Sequence, residues 1–281
     1  MSFAPRRRVA LTAAAVLSSL ALAACGSSSS DGGSSSAAAG SGDSGVTLLK
    51  AGTLQVCTHL SYKPFQFKDD SGAVVGFDVD LMDLVAKKLG AKQEIVDIDF
   101  AQITSGAVFA AKKCDAGAAA TTINDKRKGA ILFSDPYFDA TQALLVKKGS
   151  GITDLTGLKG KKLGVQTDTT GAEYGEKNKD ANGYEVVVFD DLPTQLAGVL
   201  SGRVDAAVND NGVVFDYAKD NPGTEVTKEF NTGEQYGLMF QKDNANGTAL
   251  AKVTNEVLKE AKASGEYNTI FKKWFGVDAP K

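Results

Sequence analysis

A single histidine, His59, stands in the whole chain, and neither Cys-x-x-Cys nor His-Glu-x-x-His spacing occurs. That scarcity argues against metal chemistry, because protein metal sites draw on clustered histidine and cysteine ligands. No Gly-x-Ser-x-Gly elbow is present, and the Gly-x-Gly-x-x-Gly match from Gly40 to Gly45 falls in a Ser/Gly tract rather than after a strand. Nothing here calls for a cofactor. Charge of one sign is also missing: 31 Lys and Arg against 34 Asp and Glu leave a net charge of −3. The chain therefore lacks the basic footprint that nucleic-acid binding requires.

What is there begins at the N-terminus. Arg6, Arg7 and Arg8 precede an apolar run from Val9 to Ala24, closed by Leu22-Ala23-Ala24-Cys25-Gly26. The run, about 16 residues, is too short for a comfortable membrane span and matches a signal peptide over 1–24. Small residues before Cys25 make a lipobox, so Cys25 is the expected lipidation site and first mature residue. A diacylglycerol thioether with an acylated amine gives the two anchors that stable attachment needs. The plainer alternative is a secretory signal cleaved nearby. Residues 25–48 read as a linker of Ser, Gly, Ala and Asp, too poor in apolar surface to fold. About 20 such residues would hold the folded part about 25 Å from an anchor.

From Val46 onward, short apolar runs alternate with helical periods, which reads as α/β with parallel strands. Strands are expected at Leu54–Thr58, Gln93–Val96, Asp115–Ala119, Leu163–Gln166, Glu185–Phe189 and Val204–Val208. Helices are expected at Val79–Leu89 and Gly247–Lys262, then beyond Gly265 with Tyr267, Ile270, Phe271, Trp274 and Phe275 as packing residues. Cys57 and Cys114 form either a disulfide or two buried thiols. Register argues against the bridge, since Cys57 sits late in one strand and Cys114 at the start of another. The segment Ala107 to Ala116 echoes Ala197 to Ala206, each reading helix, turn, basic residue, then Asp-Ala opening a strand. Two copies of one unit fit two like lobes, with a cleft beyond the strand ends.

Polar groups gather where strands end: Thr58 to Tyr62, Thr121 to Arg127, Gln166 to Thr170, and Asn209 to Asn211. Tyr62-Lys63-Pro64-Phe65-Gln66-Phe67, Gly76-Phe77-Asp78-Val79-Asp80-Leu81, Thr121-Thr122-Ile123 through Arg127, and Phe133-Ser134-Asp135-Pro136-Tyr137 follow in fixed order. With Leu163-Gly164-Val165-Gln166 and Val204-Asp205-Ala206-Ala207, this set resembles the polar-amino-acid-binding proteins of ABC importers over Leu49 to Gly276. The resemblance implies a type II periplasmic-binding fold, two α/β lobes joined by a two-strand hinge and closing on one zwitterion.

It also implies roles for residues. Arg127 matches the arginine that clamps the ligand α-carboxylate, for which a planar guanidinium fork is suited. Asp210 matches the acid that binds the α-ammonium. Tyr62 and Phe100 occupy places where aromatic faces sandwich the ligand side chain, though either also reads as ordinary core. Thr122 and Thr169 match carboxylate-supporting positions, with Asp168 in the same turn. His59 stands where binders of cationic amino acids carry an acid, and Ala119 and Ala120 replace their small hydroxyl residues. A lost acid argues against lysine or arginine as ligand, because a buried cation would lack a partner. A glutamate- or glutamine-like ligand is favoured, with His59 either donating to its side chain or serving structurally.

Counted from these motifs, lobe 1 is 49–141 plus 238–281 and lobe 2 is 142–237, with hinges near Ala140–Leu144 and Glu234–Leu238. The expected protein is a monomeric lipoprotein on the outer face of the cell membrane. It would pass its ligand to an ABC permease driven by a partner ATPase. It is not expected to be an enzyme. The alternatives are an enzyme on the same fold, similar to cyclohexadienyl dehydratase, or a ligand-binding sensor.

Overall fold

The computed structural model describes residues 44–280. The expected signal peptide, Cys25 and the Ser/Gly tract through residue 43 lie outside the described residues. The chain opens with β1 (Thr53–Thr58), the hairpin β2 (Phe67–Lys68) and β3 (Val74–Val75), α1 (Phe77–Lys88), β4 (Lys92–Asp97), α2 (Phe100–Thr104) and α3 (Ala107–Ala110). It continues through β5 (Ala116–Gly117), α4 (Asp125–Lys128), β6 (Ile131–Phe133) and β7 (Phe138–Lys147). After a 3-10 turn at Leu155–Leu158 come β8 (Lys162–Gln166), α5 (Thr170–Asn182), β9 (Glu185–Phe189), α6 (Leu192–Ser201), β10 (Ala206–Asp210) and α7 (Asn211–Asp220). The last elements are β11 (Thr224–Tyr236), β12 (Met239–Gln241), α8 (Ala245–Ser264) and α9 (Glu266–Phe275).

Two five-stranded sheets result, in the orders β4-β1-β5-β12-β6 and β11-β7-β10-β8-β9. Each is mixed rather than purely parallel: β1 runs parallel to β4 and β5, and β8 parallel to β9 and β10, but β12 and β7 run against their neighbours. The chain passes from the first sheet to the second between Phe133 and Phe138, and returns between Tyr236 and Met239. The first crossing lies ahead of the expected Ala140–Leu144, because Ala140, Gln142 and Ala143 are already paired with β11. Two crossing segments held side by side, Ser134 N–H donating to Leu238 O and Tyr137 N–H to Tyr236 O, make a narrow joint.

The internal echo has a structural counterpart. Asp115 donates its backbone N–H to Gln55 O, and its carboxylate accepts the Gln55 N–H at 2.9 Å. Asp205 does the same to Lys162, its carboxylate accepting that N–H at 2.8 Å. In each sheet the aspartate fixes the register of two parallel strands. The strand expected at Asp115–Ala119 shortens to two residues and the one expected at Val204–Val208 moves to Ala206–Asp210, since both aspartates act ahead of the ladder.

That region also settles the cysteines. Asp115 N–H donates to Gln55 O while Ala118 N–H donates to Cys57 O. The α-carbons of Cys57 and Cys114 are 5.6 Å apart, and a disulfide joins them. The register argument against the bridge took Cys114 as part of the paired strand, whereas it lies ahead of β5 and outside the ladder.

Helix α1 places its apolar residues Phe77, Leu81, Met82 and Val85 inward at helical spacing, with Asp78 and Asp80 in its first turn and Lys87 and Lys88 in its last. The aromatic residues of α9 complete the same core: Phe271 packs on Phe77 and Phe138 with ring centres 5.7 and 6.0 Å apart.

Candidate functional site

Between the two sheets a cavity is lined by His59, Tyr62, Phe100, Thr122, Arg127, Thr169 and Asp210. Its wall is completed by Gln66, Ala119, Ala120, Gln166 and Thr170. Strand ends and helix starts supply nearly all of them, the usual location of ligand sites in open α/β sheets.

Arg127 owes its position to the short helix α4, whose cap residue Asn124 accepts the Arg127 N–H at 2.8 Å. Its buried guanidinium donates to Thr122 O at 2.8 Å and, across the cleft, to Asp168 O at 3.0 Å. It lies over the Phe100 ring, 5.3 Å from the centre, an arrangement that holds the fork in one orientation. Burial pulls the guanidinium below its usual pKa, against the nearby charges of Asp210 and Glu173.

Asp210 ends β10 and starts α7. It accepts from Gln142 Nε2 at 2.5 Å, from the Tyr236 hydroxyl, and more distantly from Tyr62 Oη at 3.4 Å. Burial pushes its carboxyl up to about 7, reinforced by the charge of Glu234, while the Tyr236 and Gln142 bonds and Arg127 oppose the shift. Tyr62 Oη also donates to Asn209 Oδ1 at 2.7 Å, tying the two sides of the cleft together.

Thr122 keeps its carbonyl on Arg127 while its hydroxyl donates to Glu234 at 2.8 Å. Thr169 caps α5, accepting the Ala172 N–H at 3.0 Å, and donates to Gln166 O at 2.7 Å. His59 meets the Ile98 carbonyl through Nδ1 at 3.1 Å. Asp168 is the exception among the expected residues. It is exposed, it turns the chain with φ 57°, and what it gives the site is its backbone carbonyl.

Sequence reasoning does not single out Gln142, Glu234 or Tyr236, and the structure puts all three behind the cleft on β7 and β11. Glu234 accepts from Thr122 and Thr170, which come from opposite sides, and from Gln142 at 3.0 Å. The available signal was Gln142 as a polar residue directly before the apolar run Ala143 to Val146, and the structure buries it fully.

Under the cleft floor, Asp78 accepts the Ala120 N–H at 2.8 Å and the Tyr137 hydroxyl at 2.7 Å. Ala120 has φ 45°, a conformation that alanine adopts at a cost, and Asp78 is the group that holds it. Burial pushes the Asp78 carboxyl up to about 7 against those two bonds.

With this geometry, residues 54–277 match the model of the bacterial extracellular solute-binding proteins, family 3. The chain belongs to that family. It is 33% identical over 229 residues, 79% of this chain and 82% of the other, to a probable histidine-binding protein of Neisseria gonorrhoeae. To the ABC transporter glutamine-binding protein GlnH of Bacillus subtilis (strain 168) it is 35% identical over 213 residues, 74% of this chain and 75% of the other. A solved ancestral arginine-binding protein bound to arginine superposes with TM-score 0.74 at 42% identity, covering 80% of this chain and 98% of that one. The family-3 fold is the type II periplasmic-binding architecture, and the two sheets with their paired crossings are its two lobes. Family membership makes this a solute-binding protein.

Proposed function

We propose that this family-3 protein captures a polar amino acid, glutamate- or glutamine-like, outside the cell and delivers it to an ABC permease with its ATPase. In this reading Arg127 holds the α-carboxylate and Asp210 the α-ammonium. Tyr62 and Phe100 flank the ligand, Thr122 and Thr169 support its carboxylate, and His59 meets its side chain. The lobes meet at the two chain crossings, residues 133–138 and 236–239. Cys25 carries the lipid anchor.

One observation carries the reading: a buried arginine from one sheet and a buried aspartate from the other line the same cavity. A zwitterion is the small solute that complements both, and satisfying both at once requires the lobes to be closed. Ligand affinity then appears as the preference for the closed state. The relatives' names speak of histidine, glutamine and arginine, so likeness supports an amino acid and leaves its side chain to the cavity.

Calorimetric titration with the common amino acids, after removal of carried-over ligand by unfolding and refolding, tests this. Binding of one polar amino acid is expected. Arg127→Ala should cost about 2–5 kcal/mol of that affinity, because a buried carboxylate would lose its partner. A loss below threefold would remove Arg127 from the role. Cys25→Ser should release the protein from the membrane fraction, and continued attachment would refute the lipid anchor.

A further inference from the structure

His59 and Gln66 line the same cavity as Arg127 and Asp210. His59 Nδ1 faces the Ile98 carbonyl oxygen at 3.1 Å. A carbonyl only accepts, so Nδ1 carries a ring proton, and in the tautomer that this selects Nε2 is the acceptor. That Nε2 is buried and has no protein partner. Gln66 repeats the pattern. Its Nε2 points at the His59 carbonyl oxygen, 3.4 Å away, which turns Oε1 to the other side. That Oε1 is likewise buried and without a partner, on a side chain 1% exposed. Two residues of one cavity wall thus each carry a buried acceptor with no donor, an arrangement that folded proteins rarely leave unsatisfied.

We infer that the His59 and Gln66 acceptor pair selects a ligand whose side chain ends in an uncharged NH2 group, a carboxamide, over a carboxylate or a cation. The inference rests on the amino-acid-receptor reading and narrows it. A carboxamide NH2 brings two N–H donors to two acceptors. A carboxylate of the same length brings only lone pairs, so both acceptors stay orphaned and face negative charge. A guanidinium or ammonium brings donors, but its charge would need a partner. Among the described lining residues the one carboxylate is Asp210, already held by Gln142 and Tyr236. The Arg127 guanidinium on Phe100, whose ring centre is 6.4 Å from that of His59, adds a like charge nearby.

The test is competitive calorimetry of the ligand-stripped protein with L-glutamine, L-glutamate and L-arginine. L-Glutamine should bind about tenfold or more tighter than either of the others, since sites built around a substrate N–H discriminate strongly against analogues lacking it. Gln66→Glu adds the missing counter-charge and should move L-arginine ahead of L-glutamine. The wild-type ranking alone decides the matter if that variant does not fold. L-Glutamate or L-arginine binding as tightly as L-glutamine to the wild type, with Arg127→Ala abolishing it, overturns the acceptor-pair inference and leaves the receptor reading intact. No binding of any amino acid by folded protein overturns both.

Discussion

Asp210 is under two opposed demands. Burial raises its carboxyl to about 7, whereas an α-ammonium is held best by a carboxylate. Ligand binding must therefore expel the proton wherever the free protein carries one. Affinity is expected to be level above about pH 7 and to fall by about tenfold per pH unit well below it. Titrations from pH 5 to 8 measure this, and a flat profile would mean that Asp210 does not meet the ammonium. Asp78 has the same displacement with no ligand to meet. Its folded-state pKa lies above the ordinary 3.8, so the folded protein binds this proton more tightly than the unfolded chain. The stability so gained is complete below about pH 4 and is lost as pH rises through about 7. Asp78→Asn should be less stable, since one oxygen must replace two acceptors, and should lose part of that decline. Thermal unfolding between pH 4 and 8 checks it; an unchanged slope would place the titration elsewhere.

The start of α1 shows how an element is fixed by one small residue. Gly76 has φ 144°, and a Cβ there would stand 2.0 Å from the Phe65 carbonyl oxygen. That closeness lets Phe77 and Asp78 donate their N–H groups to Pro64 and Phe65, locking the helix against the segment that carries Tyr62 and Gln66. Gly76→Ala should cost on the order of 3 kcal/mol by urea denaturation, combining overpacking with a forbidden backbone angle. A loss under 1 kcal/mol would show that the segment shifts freely. The pair β7 and β11 works at the same scale. Its register slips between Phe230 and Glu234, which brings Glu234 level with Ala140 beside Gln142 and the cleft.

For the whole molecule, the C-terminal helices are part of the first lobe's core rather than an appendage. Tyr267, Ile270 and Phe271 are buried, and Phe77, Phe138 and Phe65 all meet Phe275 with ring centres between 5.3 and 5.4 Å. Ending the chain at Gly265 would expose several aromatic faces, each worth about 1.5–3 kcal/mol, against a total stability of about 5–15 kcal/mol. The shortened chain should lose cooperative unfolding altogether in circular dichroism melts. A retained sharp transition would make α9 dispensable.

The alternation of strand and helix, the echo around Asp115 and Asp205 and the polar strand ends that include Asp210 were legible because each is local. A period, a cap or a terminus is written within a few residues. Register slips and distant partners are not. The approach of Cys114 to Cys57, the early crossing at Phe133 to Phe138, and the meeting of Gln142, Glu234 and Tyr236 behind Asp210 depend on strands far apart in sequence. Asp168 fell on the wrong side for the same reason, since its left-handed turn, not its residue type, decides where its carboxylate goes. The sequence by itself determined which groups stand at the strand ends. Only the tertiary structure decided which of their atoms are left unpaired, because hydrogen-bond satisfaction is a property of neighbours brought together by the fold.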